Sequence, residues 1–257
     1  MSLEKILVHL STNEMNIYSL KNGTLSFLKA ETIDFTDRKN GELPVEKIGY
    51  AFKILSDTVG EIDNERIRIY ATGGFQKYTR EEKTKLVIEV FVLYGVYFNI
   101  VEPDLEDFYI KRGEGTQGCE SIMEGLVKQE FRKVVICGSF QQHLDDIGTI
   151  MDSLQKRNVE VLSPWTTKIV PETIGTDFIL LEGQEPLRNK RDAWKHKFEH
   201  MEKFQRSDAI IICNPDKIVG IGTMFEFGYM VAYSKRIIFL EKPVDLIPFP
   251  YEVGLNI

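Results

Sequence analysis

The sequence predicts an α/β protein of two parts, and three observations carry that prediction. In the second half, short apolar runs at Lys133–Cys137, Val159–Leu162, Ala209–Cys213 and Arg236–Leu240 alternate with longer stretches of helical spacing. Continuous apolar strands separated by helices belong to a parallel sheet covered on both faces. In the first half, Met15–Leu20 and Thr24–Lys29 flank Asn22-Gly23, a pair whose tolerance of positive φ marks a two-residue hairpin. The length, 257 residues, suits two modest domains. We therefore expect an N-terminal α/β domain over residues 1–115 and a flavodoxin/Rossmann-like domain over residues 130–257.

Each element follows from local pattern. Ile6–Leu10 reads as the first strand. Val45, Ile48, Phe52, Leu55 and Val59 fall near helical spacing within Pro44–Val59. Arg66–Ala71 is a strand ending in Thr72-Gly73-Gly74, and Thr79 with Glu82 forms a capping box that opens a helix to about Tyr94. Phe98–Val101 is a short strand followed by Pro103–Tyr109. Arg112–Gly118 spells G-x-G-x-x-G, but it follows charged residues instead of a buried strand, so it reads as a linker. Beyond it, Leu144–Arg157 is a helix, and Phe178–Leu181 is a short strand or buried loop. Arg188–Arg206 is a helix expected to turn Trp194, Phe198, Met201 and Phe204 to the sheet.

Composition narrows the function classes. Hydrophobic residues make up 43% of the chain and charged residues 28%, as in ordinary globular proteins. Thirty-two basic against thirty-nine acidic residues give a net charge of −7, which argues against a nucleic-acid partner. Cys119, Cys137 and Cys213 lack CxxC spacing and suit buried thiols in a reducing, cytoplasmic setting. Neither a signal peptide nor an apolar run of membrane-spanning length is legible, so no membrane partner is expected.

Candidate chemistry gathers in Ser207–Lys242. There the strand Ala209–Cys213 ends in Asn214, a loop carries Gly220, Gly222 and Thr223, and Glu226 follows at the start of a helix. Open α/β sheets bind ligands at this edge. Thr223 and Glu226 have two readings: a capping box that explains both, or a carboxylate turned toward the loop opening. Gly138, Ser139 and Phe140 end the first strand at the same edge and can offer amides or a hydroxyl to a phosphate. Gly228 and Ala232, four apart, read as a site of close helix–sheet packing. His196 and His200, also four apart on a helix, form a possible metal pair, but they lack a nearby third ligand and Lys195, Lys197 and Glu199 mark a solvated face. Neither a metal nor another cofactor is therefore expected.

Residues ~133–242 resemble the nucleoside 2-deoxyribosyltransferase-like superfamily. The matching pieces are Cys137-Gly138-Ser139, the strand SDAIIICN and the spacing of Gly222, Thr223, Glu226, Gly228, Ala232 and Lys235. The resemblance implies an N-glycosidase or deoxyribosyltransferase acting on a nucleoside or nucleotide, with Glu226 as the nucleophile. Gly138, Ser139, Phe140, Asn214, Gly222 and Thr223 would bind substrate, and a homo-oligomer would complete the site. The sequence departs from the family at Val135, Asn214 and Gly220, where a tyrosine, a carboxylate and a loop aspartate are usual. Those departures keep open a second reading, a nucleotide-binding regulatory or sensor protein that has lost turnover. A protein–protein scaffold is the third. The N-terminal half resembles the actin/ribonuclease H-like domain of exopolyphosphatase-type phosphatases through IRIYATGG (Ile67–Gly74) and FNIVEPDLEDFYI (Phe98–Ile110), with Glu106 matching that family's glutamate. The D-x-G loop of that family is replaced by His9-Leu10-Ser11-Thr12-Asn13, which implies a non-catalytic remnant.

Overall fold

The computed structural model describes residues 4–36, 43–113, 118–176, 178–244, 247 and 249–255. The chain divides into two compact units, Met1–Glu130 with Phe249–Glu252, and Phe131–Pro248 with Val253–Ile257.

Unit 1 is built on a mixed sheet. Strands β1 (Lys5–Leu10), β2 (Glu14–Lys21) and β3 (Thr24–Thr32) form an antiparallel meander, and β4 (Ile67–Ala71) and β5 (Phe98–Ile100) extend it in parallel. The strand order is β3-β2-β1-β4-β5. Asn22 and Gly23 both take positive φ, 51° and 76°, as the mirror-image two-residue hairpin turn requires. Helices α1 (Val45–Val59) and α2 (Arg80–Tyr94) cover one face; Ile48, Ala51, Phe52 and Leu55 of α1 repeat at helical spacing and are buried. Thr79 caps α2 as its sequence predicts, accepting from the Glu82 amide at 3.2 Å while Glu82 accepts from the Thr79 amide at 2.8 Å.

Helices α3 (Pro103–Arg112) and α4 (Cys119–Lys128) pack with Leu7, Tyr18 and Tyr70 in a second apolar cluster. The sequence reading contained no helix at α4. Gly113 closes α3 and Gly118 precedes α4; residues 114–117 of the G-x-G-x-x-G stretch lie outside the described residues. The two helices cross almost in backbone contact: a Cβ on Gly125 would stand 1.8 Å from the Tyr109 carbonyl oxygen. Only glycine fits there.

Unit 2 is a flavodoxin-like layer. Its strands are β6 (Lys133–Gly138), β7 (Glu160–Ser163), β8 (Ala209–Cys213), β9 (Arg236–Phe239) and β10 (Glu252–Val253), in the order β10-β9-β8-β6-β7. Counted within the unit, this is order 2-1-3-4-5, and the β6, β7, β8 and β9 pairings are parallel. All five residues of β8 are buried, as a strand covered on both faces must be. Asp208 ties the starts of β6 and β8 together by accepting from the Arg132 and Lys133 amides at 2.7 and 3.1 Å. Helix α5 (Leu144–Lys156) turns Ile147, Ile150, Met151 and Leu154 to the sheet. Phe178–Leu181 contributes one isolated antiparallel bridge, between Ile169 and Leu181.

Three local expectations are corrected. Helix α6 (Lys190–Glu202), continued by a 3-10 turn at Lys203–Arg206, buries Met201 and Phe204, but Trp194 and Phe198 are more than half exposed. Helix α7 (Ile221–Ala232) starts before Thr223: Gly220 is its N-cap, without a side-chain bond, and Met224 already donates to the Gly220 carbonyl. Thr223 and Glu226 are thus interior residues of α7 and form no capping box. Gly228 faces open space and makes no close approach to the sheet.

Candidate functional site

The order 2-1-3-4-5 puts a crevice outside the carboxyl ends of β6 and β8, where the chain connections diverge. Gly138 makes this edge possible. Its φ is +153°, and a Cβ there would stand 2.8 Å from the Cys213 carbonyl oxygen, so the chain leaves β6 against β8 only without a side chain. The residues after it, Ser139, Phe140 and Gln141, line a cavity of about 310 Å³. Ser163 enters it at the end of β7 and Trp165 just after, Phe178 and Leu181 from the long connection, Lys197, His200 and Lys203 from α6 and its extension, and Glu226 from α7.

The cavity floor is polar and buried. Glu226, with a side chain 7% exposed, makes an ion pair with the Lys197 ammonium on its Oε1. His200 Nε2 lies 3.8 Å from the same oxygen and 3.4 Å from Cys137 Sγ. On its other side, His200 Nδ1 lies 2.8 Å from Ser163 Oγ. Burial lowers the His200 pKa from 6.5 to about 4, against the opposing pull of Glu226. Burial also raises the Cys137 thiol well above its ordinary value, and the Glu226 charge adds to the rise. At the rim, the Lys203 ammonium sits 4.9 Å over the Trp165 ring, and desolvation lowers its pKa.

The residues singled out in the sequence divide into two groups. Gly138, Ser139, Phe140 and Glu226 meet at the cavity, whereas Asn214, Gly222 and Thr223 are not among its lining. Asn214 is buried and spends its amide on the backbone, donating to the Glu241 carbonyl at 2.8 Å and accepting from the Glu241 amide at 3.2 Å. It latches the end of β8 to the chain leaving β9. The two histidines both line the cavity but take different partners. His196 is held by the Glu185 carbonyl at 2.9 Å, while His200 turns to Cys137 and Glu226. The face read as solvated thus lines the cavity, and it supplies Lys197 and His200 to the polar floor. Helical spacing placed them beside one another, but their partners come from β6 and α7, which no local pattern reveals.

In unit 1, the loop after β1 is tied to the turn after β4, and that turn to α3. Thr12 Oγ1 accepts from the Gly74 amide at 2.9 Å, and Glu106 accepts from Gln76 Nε2 at 2.5 Å. His9 is buried with Nε2 2.9 Å from Thr72 Oγ1.

No family model matches the chain, and no curated protein matches it. Solved structures do. The Ppx/GppA family member of Aquifex aeolicus is 14% identical with a TM-score of 0.33, over 82% of this chain and 66% of that one. A type II variant of the Aquifex aeolicus Ppx/GppA phosphatase is 10% identical with a TM-score of 0.35, over 83% and 68%. An exopolyphosphatase from Cytophaga hutchinsonii is 10% identical with a TM-score of 0.35, over 84% and 68%. The chain thus aligns with about two thirds of the length of each.

The function expected from the C-terminal resemblance is corrected: the N-glycosidase or deoxyribosyltransferase reading is withdrawn, and nothing favours the nucleotide-sensor alternative in its place. The side chains give the physical reason. Asn214 is committed to the backbone and Gly220 caps α7. Asp216 is engaged by His143 Nε2 at 3.3 Å and by the Ile218 amide at 3.1 Å. A leaving base would find no acid from any of these three positions. No helix among the described residues is long and apolar enough to cross a membrane.

Proposed function

We propose that unit 2 is a hydrolase module for a small anionic substrate, of which phosphate monoesters are the simplest class. One observation carries the reading: the Lys197–Glu226 ion pair lies in the wall of a ligand-sized cavity at the strand edge. A buried ion pair contributes little to stability against its desolvation cost, so its position beside a cavity favours a functional role. Lys197 and Lys203 supply positive charge to an entering anion, Trp165 and Phe140 supply apolar walls, and Glu226 is the base for an attacking water.

The test is a panel of small phosphate esters, scored for binding by calorimetry and for released phosphate. Glu226→Gln should bind the substrate yet lose about 10²–10⁴-fold in turnover, the usual loss of a general base. Lys197→Ala should weaken binding. Wild-type protein that binds no member of the panel, or undiminished turnover in Glu226→Gln, would refute the reading.

A further inference from the structure

The geometry points to a transition-metal site formed by Cys137, His200 and Glu226, with Zn²⁺ as its best-fitting ion. The three residues arrive from β6, α6 and α7, and their ligand atoms all lie within 4.8 Å of one another. Zinc bonds of ~2.0–2.3 Å at tetrahedral angles require neighbouring ligand atoms ~3.3–3.6 Å apart. The Cys137 Sγ to His200 Nε2 distance is 3.4 Å, and Nε2 to Glu226 Oε1 is 3.8 Å. Closing the set around an ion therefore takes adjustments of a few tenths of an ångström at these two edges.

The histidine is also oriented as a ligand. A metal-binding imidazole usually gives its second ring nitrogen to a hydrogen-bond partner that fixes its plane and tautomer. Ser163 Oγ, 2.8 Å from Nδ1, fills that place and leaves Nε2 aimed at the sulfur and the carboxylate. One sulfur, one nitrogen and one oxygen donor suit Zn²⁺ better than Mg²⁺ or Ca²⁺, which prefer oxygen alone. Three protein ligands leave a fourth position for water or substrate, as in catalytic zinc sites. Cys137, His200 and Glu226 all line the cavity, from which water or substrate would reach the ion.

Binding forms the zinc–thiolate bond and releases the Cys137 proton to solvent. The ion also competes with the Lys197 ammonium for Glu226 Oε1. The inference concerns metal occupancy alone and stands whether or not a phosphate ester is the substrate. With the ion bound, Glu226 becomes a ligand instead of a base.

The experiment strips the 257-residue chain with chelator, adds Zn²⁺ or Co²⁺, and reads stoichiometry and the cobalt spectrum without any substrate. One equivalent per chain with a thiolate-to-cobalt charge-transfer band is expected. Cys137→Ser should abolish the band, and Ser163→Ala, in which all three ligands remain, should weaken binding about 10–100-fold. Lys197→Met should tighten it severalfold, a direction that general loss of structure cannot produce. Wild-type protein that retains no metal after dialysis overturns the site. So does metal retained with equal affinity in Cys137→Ser.

Discussion

Lys197 on α6 and Glu226 on α7 are joined by an ion pair in which the carboxylate side chain is 7% and the lysine side chain 26% exposed. Such a pair punishes the loss of one partner more than the loss of both, because the survivor keeps its burial cost. Lys197→Met should therefore destabilise unit 2 by roughly 2–4 kcal/mol, near the low end for breaking a buried pair because lysine is partly solvated. The double variant Lys197→Met/Glu226→Gln should recover part of that loss. Urea unfolding of the four proteins in the cycle measures it, and strict additivity would show that the two residues do not couple.

Thr79→Ala should cost α2 about 1 kcal/mol through loss of its N-cap bond. Thermal unfolding should register the loss, and Thr79→Ser should restore most of it.

The buried His9 gives unit 1 a pH dependence with a definite sign. Burial lowers its pKa from 6.5 to about 4, so the ring is neutral in the fold while the unfolded chain takes up a proton below about pH 6.5. The unfolded state thus binds more protons between these limits, and stability falls as the pH drops from about 6.5 to about 4. The loss levels off below that, at roughly 3 kcal/mol for this one residue. Chemical unfolding of wild type and His9→Gln across this window should differ in slope, the variant being flatter. Equal slopes would remove His9 from the account.

Gly125→Ala tests the α3–α4 crossing. The added methyl meets the Tyr109 carbonyl oxygen at 1.8 Å, and two helix backbones must part to admit it. We expect a loss of about 3 kcal/mol or more, at the upper end for overpacking. Gly228→Ala, on the open face of α7, should be neutral or slightly stabilising.

The sequence shows the alternation that builds unit 2, because strands buried on both faces must be apolar along their whole length, and β8 is. It shows the Asn22-Gly23 turn because few residues accept positive φ. Two of the T-x-x-E patterns mark where such reading stops. Thr79 and Glu82 stand at a helix start and cap it, whereas Thr223 and Glu226 stand one turn further in, since α7 begins at Ile221. Which applies depends on where the helix nucleates, and the four letters do not encode that. Glu226 was legible as a candidate, but its partners were not. Lys197 and His200 sit in a segment as charged as any solvated face, and only the packing of α6 against β6 and α7 turns them inward. Helix α4 was missed although Ile122, Met123 and Leu126 fall at helical spacing and are buried, because it lies in the stretch read as linker and domain boundary.

Cys137, Ser163, Lys197 with His200, and Glu226 come from four separated stretches of chain, so only the folded chain assembles the site. A ligand that needs the assembled site binds the folded state in preference to the unfolded chain. Occupancy then acts as a folding constraint: at a hundredfold excess over Kd it adds about 2.7 kcal/mol to the free energy of unfolding. The midpoint of unfolding of unit 2 becomes a concentration gauge for its ligand, readable before the ligand's chemistry is known.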